Sequence, residues 1–437
     1  MTETFGTATI EGLARELREP AWLTGLRHKA WAAHTTLSWP HASDDVWRRT
    51  DVSLLDPLRG FEPTQPSLLS RLSLTEAELA QLTRPLGNEQ LAVQANGAWL
   101  IVPPGGQGVV IQDLTEAAHR HPDMIRSAIE ADGLSLAEQK LASLNTAFHH
   151  DDLVVQVQPG FPDAQPVRLI HILSASAKQA IFPMTIITVG SGSTVTLIDE
   201  YASLEPAGSA ETPHLVNARI ELVLEPNATV HYVRLQRWGA GAREFLLLRA
   251  TVSKGSTLTM ANVNLGAAVS KAHLITKLAG EQASTKLCGF VFGHGRQHVD
   301  QHTLQDHQAP RTESDLQFRA ALQDESRMVY TGLIRIAKEA QQTHAYQANH
   351  NLMLSQTAKA ETIPMLEILA DDVQCKHGAS IGPIDEEQTF YLMSRGVPRE
   401  IAQRLLVMGF IEPIVQHIPF EPLQEQLRRE IEGSLHH

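Results

Sequence analysis

No run of about twenty apolar residues occurs in the 437-residue chain, so no segment reads as a bilayer-spanning helix. The first ten residues, MTETFGTATI, lack the basic-then-apolar order of a secretory leader. Both absences predict a cytoplasmic protein with no membrane partner. Cysteine is scarce: only Cys288 and Cys375 occur, too few for a disulfide framework and without a C-x-x-C pair for a zinc site. Basic residues are outnumbered, 36 Lys and Arg against 49 Asp and Glu, for a formal net charge of −13. That balance excludes a general nucleic-acid or anionic-lipid surface. There is no G-x-x-x-x-G-K-[ST] loop, no G-x-G-x-x-G after a strand and no G-x-S-x-G elbow, so the chain has none of these routes to nucleotide binding or acyl transfer. Asp371 and Asp372 are adjacent, and neighbours on a strand point to opposite faces, which excludes a cooperating carboxylate pair.

The length predicts two or three structural units. Residues 1–88 read as helical: Ile10, Leu13 and Leu17 share one helix face, and Trp22, Leu26 and Trp31 continue an apolar stripe beyond Pro20. Residues 89–150 read as a connecting α/β region, strand-like near GAWLIVPPGGQGVVI and then helical. From 151 to 382 the apolar period is two, in β-branched runs such as VVQV and VRLIHIL separated by Gly, Pro and Asn. Within this stretch VGSGSTVTL, LEPNATVHY and VSKGSTLTM begin at Val189, Leu224 and Val252, 35 and 28 residues apart. A strand, a turn with Gly or Asn where φ can be positive, and a second strand make one coil of a β-solenoid. An antiparallel sandwich also carries such turns, and the residues alone fit either fold.

Residues 383–437 return to helical patterns. Asp385, Glu386 and Glu387 suit a first turn, Phe390 and Met393 read as inward-facing, and Gly396 stops the helix before Pro398 begins another. Ile401, Leu405 and Phe410 read as the buried side of that second helix, with Gly409 near its end, and Leu423, Leu427 and Ile431 mark a third. These helices either pack on the β body or offer a face to a partner, the alternative being a cap on the end of a solenoid.

Two groups of residues suggest metal chemistry. His294, His298 and His302 recur every four residues, with His307 following. On a strand, even spacing places them on one side, where imidazoles can bind a transition metal. A metal-dependent enzyme built on this cluster is one reading, and surface histidines bonded to Asp300 and Asp306 are the other. Cys375 and His377, spaced i, i+2, also share a strand face and supply a thiolate and an imidazole. Against that, Cys375 also fits a small buried hydrophobe and His377 a turn residue. Cys288, in KLCGFVF, reads as core.

The long stretch AETIP…DDVQCKHGASIGPIDEEQTFYLMSRGV…LLVMGF, with HVDQHTLQDHQAP, VYTGLIRI, THAYQANHNLMLS, REPAWL and VWRRTD upstream, resembles the SufB/SufD family of iron–sulfur cluster assembly scaffolds. Ala358-Lys359-Ala360-Glu361 stands before Thr362-Ile363-Pro364 where the SufB pattern has a cysteine. Cys375-Lys376-His377-Gly378-Ala379 follows the SufD pattern, not the His-Glu pair of SufB. The resemblance implies a central right-handed parallel β-helix flanked by N-terminal and C-terminal helical regions. It implies a non-enzymatic scaffold that pairs with a SufB-like subunit through the β-helix, a homodimer being the alternative assembly. It further implies docking of a SufC-like ATPase through the C-terminal helices, at a region holding Asp385, Glu386, Phe390, Tyr391, Arg395 and Gly396. Iron or a nascent iron–sulfur cluster would sit at the scaffold interface with Cys375 and His377 as ligands, and no cofactor would be bound tightly by the chain alone. The resemblance assigns no role to His294, His298 or His302.

Overall fold

Twenty-one strands and nine helices are formed among residues 4–41, 43–44, 46–58, 60–64, 75–102, 108–130, 133–162, 165–174, 178–204 and 213–435, which the computed structural model describes. The terminal His436 and His437 lie outside these residues, as do residues 103–107 of the first strand-like stretch. The period-two region coils into a parallel β-solenoid of about seven turns. Successive strands alternate between two sheets, so that each strand pairs with the second next in sequence, as His214–Leu224 does with Ala242–Val252. Parallel strands need a crossover between them, and here the opposite sheet supplies it. The sandwich reading is therefore excluded.

The sequence repeat is the register of the coils. Val189 pairs with Leu224, and Leu224 with Val252. The same column continues through Leu278, His307, Ile336 and Ile368. In the turns leading from one sheet to the other, Gly192, Asn227, Gly255, Gln282, Arg311 and Gln342 all have φ between 58° and 70°. That conformation turns each N–H along the solenoid axis onto a carbonyl of the next coil's turn: Gly192 to Pro226 (3.1 Å), Asn227 to Lys254 (2.9 Å), Gly255 to Glu281 (3.0 Å), Gln282 to Pro310 (3.2 Å), Arg311 to Gln341 (2.8 Å) and Gln342 to Asp372 (2.6 Å). The repeat fades from the sequence after Val252 because Gln and Arg replace the residues that mark a left-handed turn.

Inside the coils, columns of Val, Leu, Ile and Ala form a continuous apolar core from Ala92 to Ala358. It encloses a polar cluster. Glu244 accepts hydrogen bonds from Arg234, from Trp238 Nε1 (2.7 Å) and from Ser270 Oγ (2.8 Å), and Arg234 also reaches Asn262 and Asn264 (3.3 Å each). Asp199 accepts from the hydroxyls of Tyr201 (2.9 Å) and Tyr232 (2.6 Å). Buried charges survive only when so satisfied.

The two outer faces are covered by opposite ends of the chain. Helix Leu136–Phe148 begins in a capping box of Ser135 and Glu138 and packs, with Trp47 and the helix Thr7–Leu17, against Phe182, Leu215, Phe245, Leu247 and Ile275 of one sheet. Residues 37–64 are not helical throughout, holding only a short 3₁₀ turn and the strand Glu62–Pro63 among those described. On the other sheet, Val407, Ile411, Ile414, Leu423, Leu427 and Ile431 of the C-terminal helices cover Val233, Leu235, Val263, Cys288 and Phe290. Cys288 is core, as its context suggests, and burial pushes its thiol pKa up to about 12.

A methyl group at Gly255 would meet Asn227 Oδ1 at 2.5 Å on a backbone with φ +67°. Gly255→Ala is expected to lower stability by roughly 1–2 kcal/mol. Gln282→Gly, at the same turn position one coil on, is expected to cause no loss. Thermal melts of the two variants check this, and equal destabilisation would contradict the turn geometry.

Candidate functional site at the open end of the solenoid

Every internal strand of the solenoid has a neighbour on each side, but Lys359–Ile368 and Val373–Pro383 end their sheets. At the opposite end the sheets finish in the four-residue antiparallel strands Ala98–Ile101 and Val109–Gln112, short edges of the kind that resist further pairing. The C-terminal edges are instead ten and eleven residues long. They leave rows of backbone N–H and C=O groups open, and the interior face of the last coil open with them. Leu366, Ile368, Leu369 and Ile381 are exposed there by 38–60%. The C-terminal helices lie along the side of the solenoid and leave this end free, so they are not its cap.

Cys375 and His377 sit on this last coil, above Ala345 and Gln347 of the strand beneath. Ala345 and Gln347 are buried in the interior column, so both site side chains belong to the inward-facing set. Cys375 is half-buried against Ile334, Ile336, Ala345 and Ala370, and that burial raises its thiol pKa. The free chain thus holds a protonated thiol at neutral pH, which a metal or a cation must convert to thiolate. His377 is exposed one pleat further along. Ala358 is buried against the interior core just before the other edge strand. No thiol stands at that position to complete a donor set from this chain.

The helical hairpin Glu386–Ser394 and Arg399–Val415 follows directly. Asp385 caps the first helix by accepting the N–H groups of Glu387 (2.8 Å) and Gln388 (3.3 Å), and Glu386 bridges to Arg399 (2.7 Å). Gly396 ends the helix with φ +88°. These three residues shape the hairpin, whereas Phe390, Tyr391 and Arg395 form its exposed face. Phe390 is 72% and Tyr391 57% exposed, with the Arg395 guanidinium 5.2 Å from the Tyr391 ring centroid. The inward orientation expected of Phe390 and Met393 is therefore wrong: Thr389 is the buried residue of that helix. Ile401 and Leu405 are likewise exposed, and Ala402, Val407 and Ile411 take the buried side of a helix that runs through Gly409 to Val415. Both faces of the hairpin are apolar, and the solenoid uses only one.

The four histidines from 294 to 307 do not converge. His294 lies in a turn. His298 and His302 point outward beneath the N-terminal region, where His298 Nε2 meets Thr50 Oγ1 at 2.9 Å. His307 points inward and is held by Thr312 Oγ1 (2.8 Å) and Ser314 Oγ (2.9 Å). The reason is the odd spacing of His307 from His302, which reverses the side chain on a strand. His302 instead meets two residues that sequence reading did not connect with it, His273 of the preceding coil and Glu138 of the N-terminal layer.

A family model described as SUF system FeS cluster assembly, SufBD core domain, matches residues 171–410. The chain is 27% identical over 431 residues to the iron-sulfur cluster assembly protein SufD of Bacillus subtilis, covering 98% of this chain and 97% of the relative. It is 26% identical to SufD of Escherichia coli, over 92% of this chain and 94% of the relative. Against SufB of Bacillus subtilis it is 25% identical, over 98% and 93%.

Burial holds His34, His150 and His307 at pKa values of about 4, below the usual 6.5. A histidine with a depressed folded-state pKa contributes stability that is present above 6.5 and is lost as pH falls toward 4. The melting temperature is therefore expected to fall between pH 6.5 and pH 4. His307→Gln is expected to flatten that slope, and an unchanged slope would show that His307 is not buried neutral.

Proposed function

The chain belongs to the SufBD core family of the SUF iron–sulfur cluster assembly system, and on that footing we propose that it is a SufD-type scaffold subunit whose open solenoid end is completed by a SufB-type partner. The observation that carries this is the pair of unpaired terminal strands with interior apolar side chains uncovered. A partner adding one strand to each sheet satisfies the open backbone groups and buries Leu366, Ile368 and Ile381 together. Such pairing supplies what a long, flat edge otherwise offers to aggregation.

Cys375 and His377 then lie inside the joint between the two scaffolds. Iron or a nascent cluster is the cargo of this site. Two donors from this chain do not complete a cluster, and Ala358 adds none, so the remaining thiolates come from the partner. Binding of iron displaces the proton that burial keeps on Cys375. Imidazole, a borderline ligand, suits iron through its neutral lone pair. The chain itself performs no bond-making step in this reading: it orients two ligands and excludes water around them.

The exposed face of the C-terminal hairpin, with Phe390, Tyr391, Ile401 and Leu405, takes the SufC-type ATPase. Aromatic side chains flanked by Arg395 match the composition of protein-binding hot spots. Nucleotide chemistry then belongs to the ATPase, in keeping with the absence of a phosphate loop here. Deleting residues 385–437 would be a poor test of docking, because it also strips the cover from Val233, Leu235 and Phe290.

Co-expression with SufB-type and SufC-type subunits, followed by size exclusion and iron and sulfide analysis, separates the two surfaces. Leu366→Asp with Ile381→Asp is expected to lose the scaffold partner. Phe390→Ala with Tyr391→Ala is expected to lose the ATPase, at a melting temperature close to that of the unaltered chain. Retention of both partners by both double variants would contradict the assignment of surfaces. Cys375→Ser with His377→Ala is expected to leave the complex assembled and to reduce its cluster content severalfold. An unchanged cluster yield would reduce the chain to a structural adaptor.

A further inference from the structure

Beneath the N-terminal layer, far from the open end in sequence and on the outer face of the other sheet, Glu138, His273 and His302 bring one donor atom each to within 4.8 Å of one another. The three come from separate elements. Glu138 is the third residue of helix Leu136–Phe148, and His273 and His302 are paired residues of successive coils. Glu138 accepts the Ser135 N–H on Oε2 (2.7 Å), while Oε1 lies 2.8 Å from His273 Nδ1. Burial alone would raise the Glu138 pKa, but the hydrogen bond from His273 and the bonds from Ser135 lower it, so it is a carboxylate. Burial lowers the pKa of His273 and of His302. The set at neutral pH is therefore one carboxylate and two neutral imidazoles.

What the protein provides does not satisfy this cluster. The buried Nε2 of His302 has no hydrogen-bond partner among the described residues, and His273, 1% exposed, turns its Nδ1 to Glu138. The His302 ring stands edge-on to His273, centroids 4.8 Å apart at 83°, a contact that leaves nitrogen lone pairs unused. An unsatisfied buried polar atom costs about 1–3 kcal/mol, and each in a native protein calls for a partner. The neighbouring Lys271 does not repel a cation strongly, because its ammonium is paired with Asp300 at 2.7 Å. A cavity of about 530 Å³ has Ile275 and Leu304 in its wall, each two residues along the same face from His273 and His302, and stops short of the three donors.

We propose that Glu138, His273 and His302 bind one divalent transition-metal ion of the zinc, cobalt or ferrous class, clamping the N-terminal helical layer to two coils of the solenoid. Two imidazoles and a carboxylate suit these borderline cations and leave at least one position for water. Coordination at about 2.0–2.1 Å places donors roughly 3.4 Å apart in a tetrahedron, which small side-chain rotations achieve. A carboxylate only accepts, so Nδ1 of His273 carries the shared proton; a metal at that nitrogen takes the other tautomer, with the proton on Nε2 and the ring still neutral.

The test is an anaerobic Co²⁺ titration of the full chain carrying His436→Ser and His437→Ser, read by visible d–d absorption and by calorimetry. One ion per chain is expected, with a metal-dependent rise in melting temperature. His302→Ala and Glu138→Gln are each expected to weaken binding at least tenfold and to abolish the rise, whereas Cys375→Ser with His377→Ala leaves both unchanged. The His302 ring makes no hydrogen bond to lose, so that variant remains decisive if Glu138→Gln does not fold. Absence of a bound ion, binding retained by His302→Ala, or binding lost with Cys375 and His377 would each overturn the proposal. The partner surfaces of the preceding section play no part in this readout.

Discussion

The structure depends on the parallel backbone ladder that joins each coil to the next. A solenoid strand cannot satisfy its N–H and C=O groups within its own coil, so stability accumulates by stacking. The positive-φ turn residues serve the same ladder, since each aims its N–H down the axis at the following turn. A stack of this kind has two ends, and how each end is finished determines what the molecule can do. One end closes with short antiparallel strands, and the other stops with full-length edges.

The helical regions follow from the same constraint. Sheets paired by alternating coils have two outer faces as well as an interior, and each face carries enough Leu, Ile, Val and Phe to require a cover. The N-terminal layer covers one and the C-terminal helices the other, so both termini are tied down along the solenoid's length. The second helix of the C-terminal hairpin spends its Val407 and Ile411 side on this cover and leaves Ile401 and Leu405 uncovered, beside Phe390 and Tyr391 of the first. That surplus of apolar surface, like the open edges, marks a protein built to be one part of a larger assembly.

Much of this was legible in the sequence. The period of two located the sheets, and the repeat beginning at Val189, Leu224 and Val252 fell on the true register of the coils. Its disappearance was misleading, because Gln282, Arg311 and Gln342 adopt the same turn without the residue types that announce it. Residues alone left solenoid and sandwich equal, since hairpins and coils use similar turns; the family resemblance pointed to the solenoid. The helix faces at Phe390 and Ile401 were misread because an apolar stripe signals burial of some kind and does not distinguish a core from a partner. The histidine run was misread for the opposite reason. Its members are close in sequence but part across a strand, while Glu138, His273 and His302 meet across 164 residues of chain. No local pattern reports a contact of that length. The ion pair of Arg234 and Glu244 inside the coils was equally invisible, as a charged pair in a β segment ordinarily reads as surface.

The proposal drawn from family membership and the open end is that the chain is half of a solenoid continued by another subunit, with Cys375 and His377 where the halves would meet. Hydrogen–deuterium exchange of the chain, free and in complex with a SufB-type partner, tests this most directly. The account predicts that amides of Lys359–Ile368 and Val373–Pro383 exchange quickly in the free chain and become strongly protected in the complex, while those of the four-residue strands at the other end do not change. Equal exchange of the two terminal strands in the free and bound states would contradict it.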